Sequence, residues 1–293
     1  MILNESGSAP GVGPIHIDEI KPTLDPISKF LGVDLMSMTL GSVGKKEFSG
    51  DIDVAINIPP AEFDEFQKKL EFSPLFFYVE KTSVFITKIK IQNYDPKKQS
   101  TDLKHGPRTG FVQLDFMPGA NPNWLKTYYH SPSSEESKYK GVFRNILVST
   151  IAAMYGRERS EEEIEDGRPV SVKRWKWGSN GLLRVDRTPK PRANGEGYTK
   201  ANIDKVIGEP ITDGDEVAKA LGLDSAKDLN SYESLKLAME KNYPEDLTRK
   251  ILDIFAQNRQ VQDVGVPDEL RSQAVNNESL ADKQLRRLKE LLP

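Results

Sequence analysis

The feature that most constrains this chain is the run Gly50-Asp51-Ile52-Asp53-Val54-Ala55-Ile56-Asn57-Ile58. Ile52, Val54, Ile56 and Ile58 alternate with other residues, and Pro59-Pro60 stops the run. Side chains alternate faces along a strand, so the isoleucines and valine face a core while Asp51 and Asp53 share the other side. Two carboxylates side by side repel, and burying them is costly unless a cation lies between them. The alternative reading is a solvated loop in which Gly50-Asp51 are turn residues.

The rest of the chain restricts what that cation can be. There is no cysteine among the 293 residues, which excludes disulfides, zinc ribbons and thiolate nucleophiles. Three scattered histidines (His16, His105, His130) make no convincing imidazole site. Oxygen ligands remain, and these suit magnesium or manganese. Formal net charge is −3, with 37% hydrophobic and 29% charged residues. That is a globular composition with enough chain for a core. No apolar run approaches the ~20 residues that span a bilayer. The first 14 residues have neither the basic nor the apolar region of a signal peptide. A cytoplasmic protein without membrane contact is expected.

Around the paired aspartates the pattern predicts a helix over 17–31, which Pro22 and Pro26 would break or confine to its later half. A strand is predicted over 35–40, then a turn at Gly41-Ser42. An amphipathic helix follows over 61–70, then strands over 84–91 and 110–117, and a long helix over 139–155. Gly41 permits close backbone approach. Ser42 offers a hydroxyl and an amide suited to phosphate, with Lys45 and Lys46 adding positive charge. Ser42 as a turn cap and the lysines as surface charges are the plain alternatives, and Glu47 reads as surface. Asp115 stands isolated in Phe111-Val112-Gln113-Leu114-Asp115-Phe116. An aspartate inside so apolar a strand needs a reason. It would either converge with Asp51 and Asp53 on metal or pair with a nearby lysine.

Gly41-Ser42, an eight-residue spacer, Asp51-Ile52-Asp53-Val54, and Asp115 on a later strand together resemble the nucleotidyltransferase superfamily typified by DNA polymerase beta. Its branches include the CCA-adding enzymes and poly(A) polymerases. The resemblance covers roughly residues 17–155. It implies two magnesium (or manganese) ions on Asp51, Asp53 and Asp115, contact of Ser42 with a nucleoside triphosphate such as ATP, and a base role for Asp115. The run Ser133–Asn145 is similar to the RNA-modifying branch, more weakly. Lys140 and Arg144, four apart on one helix face, would reach the nucleotide or the acceptor, or lie in solvent.

Two stretches are basic: 86–110 with six Lys/Arg against two Asp, and 168–192 with eight against one. The second reads as a hairpin, PVSVKRWKW–GSNG–LLRVDR. Lys173, Arg174, Trp175, Lys176 and Trp177 on it could grip a nucleic-acid strand by phosphate contact and base stacking. The shared parity of the two tryptophans fits a packed face equally well. His105 reads as a loop residue.

The expected fold is α+β. A flexible tail over 1–14 precedes a nucleotidyltransferase core over 15–157, built on a small mixed sheet. A C-terminal part over 158–293 holds the basic hairpin and then helices, with caps at Thr212-Asp213, Ser231 and Pro244-Glu245 and a last charged helix over 270–292. The expected activity is transfer of a nucleoside monophosphate from a nucleoside triphosphate to an acceptor hydroxyl. The acceptor favoured is a tRNA-like RNA 3′ end. A protein or small-molecule hydroxyl, DNA repair synthesis and an inactive nucleic-acid-binding module remain open.

Overall fold

The structure, a computed structural model, describes residues 9–275 except 83, 101–105, 120 and 165–167. His105 and residues 276–292 of the last expected helix lie outside the described residues. The architecture is mixed α+β with a helical C-terminal part. Among the described residues no helix is long and apolar enough to cross a membrane.

In chain order, β1 (Ile15–His16) leads into α1 (Ile17–Leu31), followed by β2 (Phe48–Ser49), β3 (Ile52–Ile56), α2 (Phe63–Glu71), β4 (Phe76–Lys81), β5 (Phe85–Lys90), β6 (Phe111–Pro118) and α3 (Pro122–Tyr128). Then come α4 (Gly141–Met154), β7 (Glu158–Arg159), β8 (Val172–Gly178), β9 (Gly181–Pro191) and β10 (Tyr198–Ile211). The chain continues through α5 (Gly214–Ala220), α6 (Tyr232–Asn242), α7 (Glu245–Ala256), α8 (Arg259–Val264) and α9 (Asp268–Val275). The chain divides into two compact units. One comprises 1–141, 177–183 and 207–217, and the other 142–176, 184–206 and 218–293.

The first unit is organised by a four-stranded sheet of order β3-β6-β5-β4. β3 and β6 are parallel, and the other pairs are antiparallel. The alternation read in the sequence holds: Ile52, Val54 and Ile56 are buried with Val112, Leu114 and Phe116 from β6 and with Phe66 and Leu70 from α2. Phe66 meets Phe85 and Phe116 edge to face, at 5.0 and 5.5 Å.

α1 runs unbroken through Pro22 and Pro26. Each proline removes a helical hydrogen bond. Burial of Ile20, Leu24 and Ile27 against the sheet outweighs that loss. The helix begins with a reciprocal cap. The His16 imidazole accepts from the Asp18 amide, and the Glu19 carboxylate accepts from the His16 amide.

The strand expected over 35–40 is not formed. Met36–Met38 is a 3-10 turn instead. Asp34 captures it, its carboxylate accepting from the Ser37 amide and its carbonyl from the Ser37 hydroxyl. That local side-chain capture competes with strand pairing. Only Thr39 bridges to Val54, and the Leu40 amide donates to the Asp53 carbonyl at 2.9 Å.

The basic stretch 86–110 resolves at its end into an internal ion pair. Arg108 and Glu19 are buried against each other, with side chains 1% and 2% exposed. Arg108 also donates to the carbonyls of Pro14, Asp95 and Lys98. Glu19 accepts in addition from the Asp95 amide. The guanidinium lies 4.6 Å from the Tyr94 ring centre. The pair thereby ties the start of α1 to the backbone at Pro14, Asp95 and Lys98.

In the second unit Phe255 of α7 packs on Phe143 and Tyr232, and Tyr155 stacks on Tyr243 at 4.9 Å. The expected caps are present for α5, where Asp213 accepts from the Asp215 and Glu216 amides, and for α6, where Ser231 accepts from the Ser234 amide. The hairpin forms as β8–β9. Its partner β10, unassigned in the sequence pattern, completes the sheet of order β10-β9-β8-β7.

Glu19→Ala leaves the Arg108 charge buried without its counterion. It should lower the unfolding free energy by about 3–5 kcal/mol in denaturant melts, and Glu19→Ala/Arg108→Met should recover part of that loss.

Candidate metal centre

The parallel pairing sets Asp53 of β3 directly beside Asp115 of β6, the two being register partners. Asp51 lies two residues before Asp53, on the same side. One carboxylate oxygen from each of the three residues lies within 4.8 Å of those of the other two. Three aspartates 64 positions apart in sequence are thus brought to one point by a single strand register.

Burial and the clustering of the three carboxylates raise the pKa of two of them. Burial pushes the Asp53 carboxyl up to about 8, with the Asp51 and Asp115 charges adding to the effect. Asp115 is pushed up to about 7, by burial first; the Gln113 amide opposes the rise and Asp51 adds to it. Asp115 Oδ2 accepts from Gln113 Nε2 at 2.8 Å, while its buried Oδ1 has no hydrogen-bond partner. An orphaned buried oxygen beside two further carboxylates fits a hard divalent cation, which would supply the missing charge. Asp51, Asp53 and Asp115 would hold it.

The turn expected to meet phosphate adjoins this cluster. Gly41 has φ +62°, and a Cβ added there would lie 3.8 Å from Asp53 Oδ2 and 4.0 Å from the Tyr129 carbonyl. A left-handed turn pressed against a carboxylate is what makes glycine the fitting residue here. Ser42 follows, half-buried, its carbonyl accepting from the Lys45 amide. Lys45 reaches across to the Ser131 carbonyl at 2.6 Å, which ties the turn to the segment after α3. Burial lowers the Lys45 pKa, and Glu136 works against that. Lys46 is exposed.

The other expected site residues are placed differently. Lys140 is exposed just before α4. Arg144 is 1% exposed in the second unit and donates to the Leu229 carbonyl and the Asn145 side chain. Its guanidinium is a structural tie, and the helix face predicted to carry both cations is solvent-exposed only at Lys140. Trp177 is buried in the first unit against Trp124 (4.9 Å) and Tyr128 (5.5 Å), so it is a core residue and offers no stacking face. Trp175 is half-buried with the Arg184 guanidinium 5.3 Å over its ring. Lys176 pairs with Asp204, as does Arg187 through two hydrogen bonds of 2.6 and 3.0 Å. Those contacts hold Asp204 down at about 2. Arg174 is half-buried, and Lys173 is exposed.

Two site residues escaped the sequence reading. Gln113 shares the face of Asp115 at a spacing of two, a signal present in the strand pattern. Tyr129 neighbours Asp53 closely enough to have its own pKa raised, by burial first, then Tyr128, then Asp53. No pattern in the sequence marks it.

No family model matches the chain, and no curated protein matches it.

A raised folded-state carboxyl pKa means that stability is lost as pH rises through that value. At pH 9, metal-free protein carrying Asp53→Asn should therefore melt higher than the parent. Magnesium should raise the parent's melting temperature, by about 2.7 kcal/mol of stability at a hundredfold excess over Kd, and leave the variant unmoved. Differential scanning fluorimetry with and without magnesium checks both outcomes.

Proposed function

We propose that the chain is a metal-dependent nucleotidyltransferase, moving a nucleoside monophosphate from a nucleoside triphosphate to an acceptor hydroxyl. The observation that carries this reading is the convergence of Asp51, Asp53 and Asp115 within 4.8 Å, with the Gly41 turn against Asp53. Three carboxylates beside a turn with open backbone suit a polyphosphate held through cations better than they suit a structural ion alone.

In this reading the acceptor oxygen bonds to the α-phosphorus. The bond from that phosphorus to the bridging oxygen of the β-phosphate breaks, and pyrophosphate leaves. The acceptor's proton passes to a carboxylate, for which Asp115 is the candidate base. Asp51 and Asp53, with Asp115, would hold a divalent cation, which would supply Lewis acidity and offset the charge developing on the phosphoryl oxygens. In this reading Ser42 would donate to a phosphate oxygen, and Lys45 would lend positive charge from the turn.

The proposed acceptor is an RNA 3′ end, resting on the exposed Lys173, Lys190 and Arg192 of the hairpin. A protein or small-molecule hydroxyl is the second reading. It is favoured by the burial of Trp177 and by the pairing of Lys176 and Arg187 with Asp204, which remove much of the expected grip.

Incubation with each α-32P nucleoside triphosphate, magnesium and total cellular RNA tests both. Label should move to an acceptor and fall by at least about 100-fold in Asp51→Ala/Asp53→Ala, a loss of the size seen when charge-stabilising groups are removed. Label on RNA supports the first acceptor, and label on protein or small molecules the second. Absence of transfer to any acceptor would sink the enzyme reading.

A further inference from the structure

The segment 9–14 was expected to belong to a loose tail. It is instead packed along β6. Gly13 donates to the Phe111 carbonyl at 2.9 Å, the Thr109 hydroxyl donates to the Gly11 carbonyl, and Lys88 donates to the Pro10 carbonyl. A Cβ on Gly13 would lie 2.4 Å from the Pro107 carbonyl oxygen, so only glycine permits this approach. At the far end of the segment Ala9 is buried, and its amide donates to Gln113 Oε1 at 2.9 Å.

That last contact decides the orientation of a side-chain amide. A backbone N–H can only donate, so the Gln113 oxygen must face Ala9. Its nitrogen then faces the other way and donates to Asp115 Oδ2 at 2.8 Å. Gln113 is itself buried, 3% exposed. The relay therefore saturates one oxygen of Asp115 and leaves Oδ1 as the oxygen without a protein partner.

We propose that Gln113, oriented by the Ala9 amide, is a positioning residue that presents Asp115 Oδ1 to the cation. The segment 9–14 is on this view part of the metal centre rather than a dispensable lead-in. The inference rests on the metal-centre part of the function proposed above and not on the identity of the nucleotide or the acceptor. Hydrogen-bonding partners of metal ligands commonly govern affinity by 10–100-fold without touching the metal.

The test is a thermodynamic cycle on the full chain, read as Mn2+ affinity by electron paramagnetic resonance, with transfer activity measured separately. Gln113→Leu removes the donor to Asp115, and Ala9→Pro removes the N–H that orients Gln113. Each should weaken Mn2+ binding about tenfold, and the double variant should be no weaker than Gln113→Leu alone, because the two act through one contact. Near-ultraviolet circular dichroism identifies any variant that fails to fold. If Ala9→Pro fails, Gln113→Leu against the parent still decides. Unchanged Mn2+ affinity in Gln113→Leu overturns the inference, as does a double variant in which the two losses multiply. A parent that binds Mn2+ through this relay yet transfers no nucleotide overturns the nucleotidyltransferase reading alone. A parent that does not bind Mn2+ overturns both.

Discussion

The register between two parallel strands is the constraint on which the candidate site depends. Pairing β3 with β6 places Asp53 beside Asp115, in a part of the sheet where the neighbouring faces are apolar. The cost is electrostatic: burial and mutual repulsion raise both carboxyls far above their ordinary range. A slip of one residue would turn Asp115 to the opposite face and bury it among Leu114's neighbours. The apolar alternation that fixes the register for packing therefore also fixes the site. An unfavourable cluster persists because the core on the other face of the same strands outweighs it, a pattern in which local strain marks function.

The contrast with Arg108 and Glu19 sharpens this. Both arrangements bury charge beside the same sheet. The ion pair is compensated in full: Arg108 donates to Glu19 and three carbonyls, and Glu19 accepts from two amides besides. A buried pair satisfied to that degree is a fastening. The aspartate cluster brings three carboxylates within 4.8 Å of one another and leaves the buried Asp115 Oδ1 without a hydrogen-bond partner. The same fold that closes the hydrogen bonds of Arg108 and Glu19 leaves Asp115 Oδ1 open.

The legible part of the fold was the part governed by short periods. Alternation in 52–58 and the apolar run 110–117 identified β3 and β6, the strands at which the three aspartates lie. Capping residues identified the starts of α5, α6 and α7. Sequence failed where a side chain's partner is distant or its neighbours compete. Leu35–Leu40 looks apolar enough for a strand, but Asp34 captures Ser37 and winds a turn. Arg144 lies on a helix beside Lys140 in the pattern, yet the Leu229 carbonyl 85 residues away claims its guanidinium. β10 has no alternation to reveal it because both of its faces are largely exposed.

Trp177 shows how a residue can matter to the site in a way opposite to that expected. The pattern Lys-Arg-Trp-Lys-Trp fits either a stacking platform for a base or a packed face. In the structure it lies against Trp124 and Tyr128 of α3, and the Trp124 indole donates to the Gly178 carbonyl at 2.9 Å. α3 is capped by Tyr129, whose carbonyl lies near Gly41, and the Ser131 carbonyl just beyond it accepts from Lys45. The hairpin tip thus packs on α3, whose C-terminal side adjoins the Gly41 turn. Aromatic burial of this kind contributes through area and ring geometry, with no need of a ligand. A basic-aromatic motif can therefore be taken up by internal contacts, its aromatic ring packed on a neighbouring helix and its lysine paired with a carboxylate such as Asp204.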